Sequence, residues 1–293
     1  MTGQLNWEHL DFTDPDSIRR LRDECGIPAL VAEALTTDDS RPRTLEFAQG
    51  VLVMLRGVNL NPGADLTDMI SVRVWLEKDR VVSTSRRQLR SINTIREAVG
   101  NGEGPRTPGE FLEMLADLLN DYIGEAIEQI ESELEEAEDR VNEPGAIAHT
   151  SPFSILRRKT ARIRRYLGPQ REALERVSRI TNSVFSPDDQ IKLHEQANHL
   201  ILNLEDVDLV RERALVAQEE FLGIMANEQN TRMLLLSIVA AVFLPLSFLT
   251  GLMGMNVAGL PGTENAWSFW ILVLMMLALV AVILLIFRHR RWM

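Results

Sequence analysis

The chain has 293 residues, with 42 Asp and Glu against 31 Lys and Arg, a formal net charge of −11. That balance argues against nucleic acid and against tight docking on anionic lipid, and makes cations the natural partners. A single cysteine, Cys25, excludes an intramolecular disulfide framework and every paired-cysteine zinc motif, so any metal is held mostly by oxygen and imidazole.

Residues 1–105 read as a cytoplasmic α/β domain. The N-terminus carries no basic n-region or apolar h-region, and Asp14-Pro15-Asp16-Ser17 reads as a helix start with Pro at its first position. Strand patterns cover 45–55 and 70–76, with a short β-branched run at 81–84, and the turn Asn59-Leu60-Asn61-Pro62-Gly63 separates two of them. From 106 to 232 the pattern changes to long cytoplasmic helices. Thr107-Pro108-Gly109-Glu110 is a capping box, and Ser151-Pro152 and Ser186-Pro187-Asp188-Asp189 open the second and third helices.

The third helix has no evident stop before Gly251 or Gly254, which predicts a rod of about 100 Å at 1.5 Å per residue. Its apolar positions Ile191, Leu202, Leu209, Leu215 and Leu222 need partners, from the second helix or from further copies of the chain. The acidic run 125–139 and the basic run 157–165 lie on successive helices, and an antiparallel hairpin would set them side by side as salt-bridged or solvated faces.

Two uncharged apolar runs, 233–254 and 267–287, are each long enough to cross a hydrocarbon core of roughly 30 Å. They are read as transmembrane helices joined by an external loop, 255–266, and followed by a basic tail, 288–293. The loop holds one acid, Glu264, suited to attracting cations, and no Lys or Arg. The tail begins Arg288-His289-Arg290-Arg291, so the positive-inside bias puts both termini in the cytoplasm. Trp267, Trp270 and Trp292 fit interfacial anchors.

Five residues before Asn256, Gly251 begins a face that continues in steps of three or four through Ser247, Leu244, Ala240, Leu236, Met233, Asn230, Ala226, Gly223 and Glu219. Such a face of small, polar and flexible groups lines a pore or packs against a neighbouring helix. His194-Glu195-Gln196-Ala197-Asn198-His199 differs from the zinc-protease pattern, because its histidines sit five apart, about 140° round a helix. A peripheral zinc site using His194 or His199 with Glu195 is the remaining metal reading of that segment.

Phe243-Leu244-Pro245-Leu246-Ser247-Phe248-Leu249-Thr250-Gly251-Leu252-Met253-Gly254-Met255-Asn256 resembles the end of the first membrane helix in the CorA superfamily of divalent-cation transporters, with its Gly-Met-Asn signature. Arg41-Pro42-Arg43, the stretch from Leu55-Arg56-Gly57 to Gly63-Ala64-Asp65, and Gly259-Leu260-Pro261-Gly262 resemble the ZntB-like zinc-transporter branch. Two departures stand out: Met253 precedes the signature where many relatives have Tyr, and the loop reads Gly-Thr-Glu-Asn-Ala. Met255 leans toward magnesium-type members.

The resemblance implies an α+β cytoplasmic funnel domain, long helices and two C-terminal transmembrane helices, assembled as a homopentameric channel in the cell inner membrane. It implies a selectivity ring of Gly254, Met255 and Asn256, and a pore lined by Glu219, Asn230, Met233, Leu236, Ala240, Leu244, Ser247 and Gly251. The expected cargo is a divalent cation, first Zn2+ with Co2+, Ni2+ and Cd2+ as further ions, the alternative being a CorA-type channel for Mg2+ and Co2+, with no cofactor and no enzymatic activity. A P-loop is absent from the sequence, and a divalent ion falling through about 100 mV gains about 4.6 kcal/mol from the field alone. Proton coupling is discussed for this branch, yet neither span supplies an embedded carboxylate or histidine as a relay. The competing class is a membrane-anchored helical interaction or sensor protein.

Overall fold

A computed structural model describes residues 5–37, 41–142, 151–255, 260, 262 and 267–289. The chain divides into two compact units, Met1–Glu219 and Glu220–Met293.

The first unit is built on a five-stranded sheet of order β1-β5-β4-β3-β2, with β1 (Asn6–Asp11), β2 (Arg43–Phe47), β3 (Gly50–Gly57), β4 (Ile70–Leu76) and β5 (Arg80–Ser85). β1 runs parallel to β5, and the other pairings are antiparallel. The stretch 45–55, read as one strand, is two: Phe47 pairs with Gly50 across a two-residue turn. Only glycine fits there, because a Cβ on Gly50 would lie 2.3 Å from the Leu76 carbonyl oxygen. β4 matches the expected 70–76, and 81–84 falls inside β5.

Every residue of β3 is buried, which requires cover on both faces. One face, with Leu52, Met54, Trp75 and Val82, packs against α2 (Ala29–Thr36) through Val31, Ala32 and Leu35. The helices α4 (Pro108–Asn142) and α5 (Pro152–Val177) serve β3 from elsewhere. A Cβ on Gly57 would clash with Leu119 of α4 at 2.6 Å, and Gln170 of α5 accepts from the Arg56 amide at 2.7 Å.

Helix starts follow the sequence signals closely. At α1 (Pro15–Arg19) the Asp14 carboxylate accepts from the amides of Asp16 and Ser17. At α4 the Thr107 hydroxyl accepts from the Glu110 amide at 3.1 Å, but Glu110 reaches back to the Arg106 amide, one residue beyond the usual partner. At α6 (Pro187–Met253) Ser186 and Asp189 cap each other reciprocally. Ser151 precedes α5 without a side-chain cap.

α6 is a single 67-residue helix. In the first unit its buried side, with Leu193, Ala197, Leu200, Val207, Val210 and Ala214, completes the helical core with α4 and α5. Ile191, Leu202, Leu209, Leu215 and Leu222 instead remain exposed, so packing within the chain does not supply their partners.

The expected face-to-face pairing of acidic and basic runs is only partly realised. Lys159 meets Glu133, but the main partner of the acidic run is Arg213 of α6, 2.7 Å from Glu131 and 3.2 Å from Glu138. Arg162 and Arg164 pair with Asp65 and Asp208. A third helix in the bundle redistributes charges that a two-helix hairpin would have matched.

Candidate functional site

The second unit holds the membrane-length part of α6 and helix α7 (Ser268–His289), the two helices among the described residues that are long and apolar enough to cross a membrane. Ile238 is buried, and Leu234, Ala241, Val242, Pro245, Leu249 and Leu252 are half-buried on the same side. Ala240, Leu244, Ser247 and Gly251 lie about 200° round the helix from Ile238, Val242, Pro245 and Leu249 respectively. All four are exposed, as are Asn230, Met233 and Leu236 earlier on the helix and Glu219 at the end of the first unit. The line read from the sequence therefore lies on an exposed side of α6, as do Leu235, Val239, Phe243 and Phe248. Leu244 is 75 % exposed against 8 % for Ile238.

One hydroxyl on that face stands out. Ser237 and Thr250 bond back to the carbonyls of Met233 and Leu246, the usual way to satisfy a hydroxyl in an apolar surrounding. The Ser247 hydroxyl has no partner among the described residues; its backbone carbonyl accepts from Thr250. An unmet hydroxyl at membrane depth calls for water, an ion's hydration shell or another polar group.

Gly254 closes the helix by donating its amide to the Thr250 carbonyl at 2.9 Å, and Met255 follows exposed. Asn256 and Glu264 lie outside the described residues.

A second cluster sits in the first unit. Asp117 and Asp121, one turn apart on α4, and His199 of α6 bring potential ligand atoms within 4.8 Å of one another. No hydrogen bond or ion pair joins the imidazole to either carboxylate among the described residues. The spacing suits three ligands around a cation, and the donor set, two carboxylate oxygens and one imidazole nitrogen, fits a divalent metal.

The surroundings fix this geometry. Gln196 donates through Nε2 to Asp117 at 2.9 Å, and Asn120 in turn donates to the Gln196 side chain at 2.9 Å and to its carbonyl at 3.0 Å. Asn203 donates to the Asn120 carbonyl, locking α4 to α6 at this level. Such supports orient ligating carboxylates. One turn before, burial pushes the Glu113 carboxyl pKa up, with Lys192 opposing and Asp117 adding to the rise.

Of the residues read as a zinc site, the structure brings His199 to the two aspartates. It leaves His194 and Glu195 exposed on other faces of α6. Asp117 and Asp121 escaped the sequence reading because they lie about 80 residues before His199, and only the α4–α6 packing unites them.

A mixed α/β unit, long helices and two candidate membrane helices near the C-terminus, with Gly254-Met255-Asn256 between them in sequence, make up the architecture of this chain, and its relatives are transporters of divalent cations, not enzymes. The family model described as CorA-like Mg2+ transporter protein matches residues 2–290, and the chain belongs to that family. It is 37% identical over 289 residues to the divalent cation transporter CmaX of Pseudomonas aeruginosa, covering 98% of this chain and 87% of that one. It is 31% identical over 287 residues to the zinc transport protein ZntB of Yersinia enterocolitica, covering 98% and 88%. The solved structure of full-length CmaX superposes with a TM-score of 0.81 over 98% of this chain and 88% of that one. For such a transporter the metal ion is cargo, and no organic cofactor is required.

Proposed function

We propose that the chain moves Zn2+ down its electrochemical gradient across the cell inner membrane, through a pore on the symmetry axis of a homopentamer. Both termini lie in the cytoplasm, and the loop bearing Glu264 lies outside. The observation that carries the reading is an exposed face of α6 on which the small or polar groups Asn230, Ala240, Ser247 and Gly251 alternate with Met233, Leu236 and Leu244, with a Ser247 hydroxyl that has no partner among the described residues. The exposed line Ile191, Leu202 and Leu209 supports assembly of copies around α6.

On this reading Asn256, with the Gly254 carbonyl and Met255, forms a ring of neutral oxygens at the external mouth. It holds a hydrated ion by outer-sphere hydrogen bonds without stripping its water. Ser247 and Asn230 continue the polar track, Met233, Leu236 and Leu244 form a hydrophobic constriction, and Glu219 begins the acidic exit. Zinc as cargo rests on the zinc transport relatives. Magnesium is the second reading, favoured by Met255 within the signature.

The test is ion flux into liposomes holding only this protein, with zinc, magnesium, cobalt and nickel under imposed voltage and pH gradients. Entry of zinc driven by an inside-negative potential, without a proton gradient, is expected. Folded protein that passes no divalent ion would instead favour a membrane-anchored sensor.

A further inference from the structure

β1 lies at the edge of the sheet, paired in parallel with β5, and of its six residues Leu10 alone is buried. Apolar burial anchors it weakly beside β3, so polar side chains carry much of its hold. They form one continuous chain. Trp7 Nε1 donates to Ser83 Oγ at 2.9 Å, and Ser83 Oγ lies 2.9 Å from His9 Nδ1. His9 Nε2 lies 3.2 Å from Ser85 Oγ, which donates to the Arg87 carbonyl at 2.8 Å.

The two ends set the direction of every bond between them. Ser85 gives its one hydroxyl hydrogen to the Arg87 carbonyl, so it accepts from His9, and Nε2 carries the imidazole proton. Nδ1 is then bare and accepts from Ser83, which in turn accepts from the indole N–H, a group that can only donate. The chain is complete for a neutral ring. A second proton would make Nδ1 a donor, and the hydroxyl hydrogen of Ser83, a fully buried residue, would lose its acceptor. The charged groups facing the ring do not compensate. Arg96 of helix α3 (Arg90–Gly100) opposes the imidazolium more strongly than Asp11 of β1 favours it. Ser83 and Ser85 of β5 are uncharged, as is Phe111 of α4, whose ring centre lies 5.0 Å from that of Trp7.

We propose that β1 is an acid-released latch: uptake of a second proton by His9 frees β1 from β5, and Trp7 from α4, ahead of the rest of the sheet. A detached strand lets the imidazole take the proton that the docked strand refuses, so acid drives the opening. Burial first, then Arg96, lowers the docked His9 pKa from 6.5 to about 4, so the hold is complete above pH 6.5 and weakens toward pH 4. The latch lies within the first unit and does not depend on the transport reading.

The experiment is hydrogen exchange of the full chain in zwitterionic nanodiscs, read by mass spectrometry as protection factors so that the intrinsic pH dependence of exchange cancels. From pH 6.5 to about 4.5, protection over residues 6–11 is expected to fall at least about tenfold, and over residues 70–76 of β4 much less. In His9→Gln, whose amide takes up no proton in this range, the fall over 6–11 should be under about threefold. His194→Gln, which removes an exposed histidine elsewhere, should follow wild type. If His9→Gln does not fold, nitrogen NMR of the wild-type imidazoles decides. One ring should show bare Nδ1 and protonated Nε2 at pH 6.5, and should gain its second proton over the range in which 6–11 loses protection. The proposal is overturned if 6–11 keeps its protection, if β4 loses protection in parallel, if His9→Gln responds as wild type does, or if no ring shows that tautomer.

Discussion

Replacing His199 with alanine removes one of three ligands from the Asp117–Asp121–His199 cluster and tests whether that cluster is a metal site. An ion that binds only the folded chain, present at about 100 times its Kd, stabilises it by about 2.7 kcal/mol. For a unit the size of Met1–Glu219, roughly 2–4 °C accompanies each kcal/mol, so the rise in melting temperature should be roughly 5–10 °C. Loss of a ligand that weakens binding about 100-fold leaves about 0.4 kcal/mol at the same ion concentration, or about 1 °C. Gln196→Ala, which frees Asp117 from its donor, should fall between the two. The assay is thermal denaturation of full-length protein in detergent, stripped with EDTA and titrated with zinc and then magnesium. His194→Ala serves as the control, since His194 stands apart from the cluster, and its response should match wild type. An equal zinc-dependent rise in wild type and His199→Ala, or no rise in wild type, would refute the assignment.

Asn256→Ala should abolish divalent flux in liposomes while leaving the yield of folded protein unchanged, and Ser247→Ala should reduce flux less. Normal flux in Asn256→Ala would remove the ring from the mechanism. Leu244→Ser should raise basal leak in stopped-flow dye measurements, because a wetted constriction conducts. Ile238→Ala, on the covered face, should instead lower stability by about 2–4 kcal/mol without leak, and a Leu244→Ser variant with unchanged leak rejects the gate. The His9 pKa is lowered to about 4, first by burial and then by Arg96, with Asp11 opposing. The folded chain thus binds this proton less readily than the unfolded chain. Stability from His9 is fully present above pH 6.5 and is lost toward pH 4, by roughly 2–3 kcal/mol after allowance for partial exposure. Chemical denaturation across that range should show the loss flattened in His9→Gln, and identical slopes would refute it.

The long helices were legible because their signals are local. Thr107, Ser186 and the prolines after them mark starts that depend on a few neighbouring amides, and a run of apolar residues in 233–254 needs no tertiary context. β1 was missed because Asn6–Asp11, with Trp, Glu and His, has no clean alternation. It becomes a strand by pairing with β5, about 75 residues away, where Trp7 and His9 both bond Ser83. That Ala240, Leu244, Ser247 and Gly251 share one face of α6 was legible from helical period alone. The Asp117–Asp121–His199 cluster was not, since a 3.6-residue repeat places His199 on a face but says nothing about which helix covers it.

Discrimination between ions has different chemistry at the two candidate sites. In the proposed pore, a ring of neutral oxygens from Gly254 and Asn256 would hold water around an ion and offer zinc no nitrogen or sulfur, so it would have little basis for preferring zinc to magnesium. The cluster at His199 has two carboxylates that suit either ion and one imidazole that favours zinc. If metal identity is sensed by this chain, the ligand that can do it is therefore His199, and a His199→Asp change would turn the cluster into an all-oxygen set. Such a variant should keep or gain thermal stabilisation by magnesium while losing most of its response to zinc. Retention of the zinc response with three carboxylates would mean that charge, and not the imidazole, governs the site.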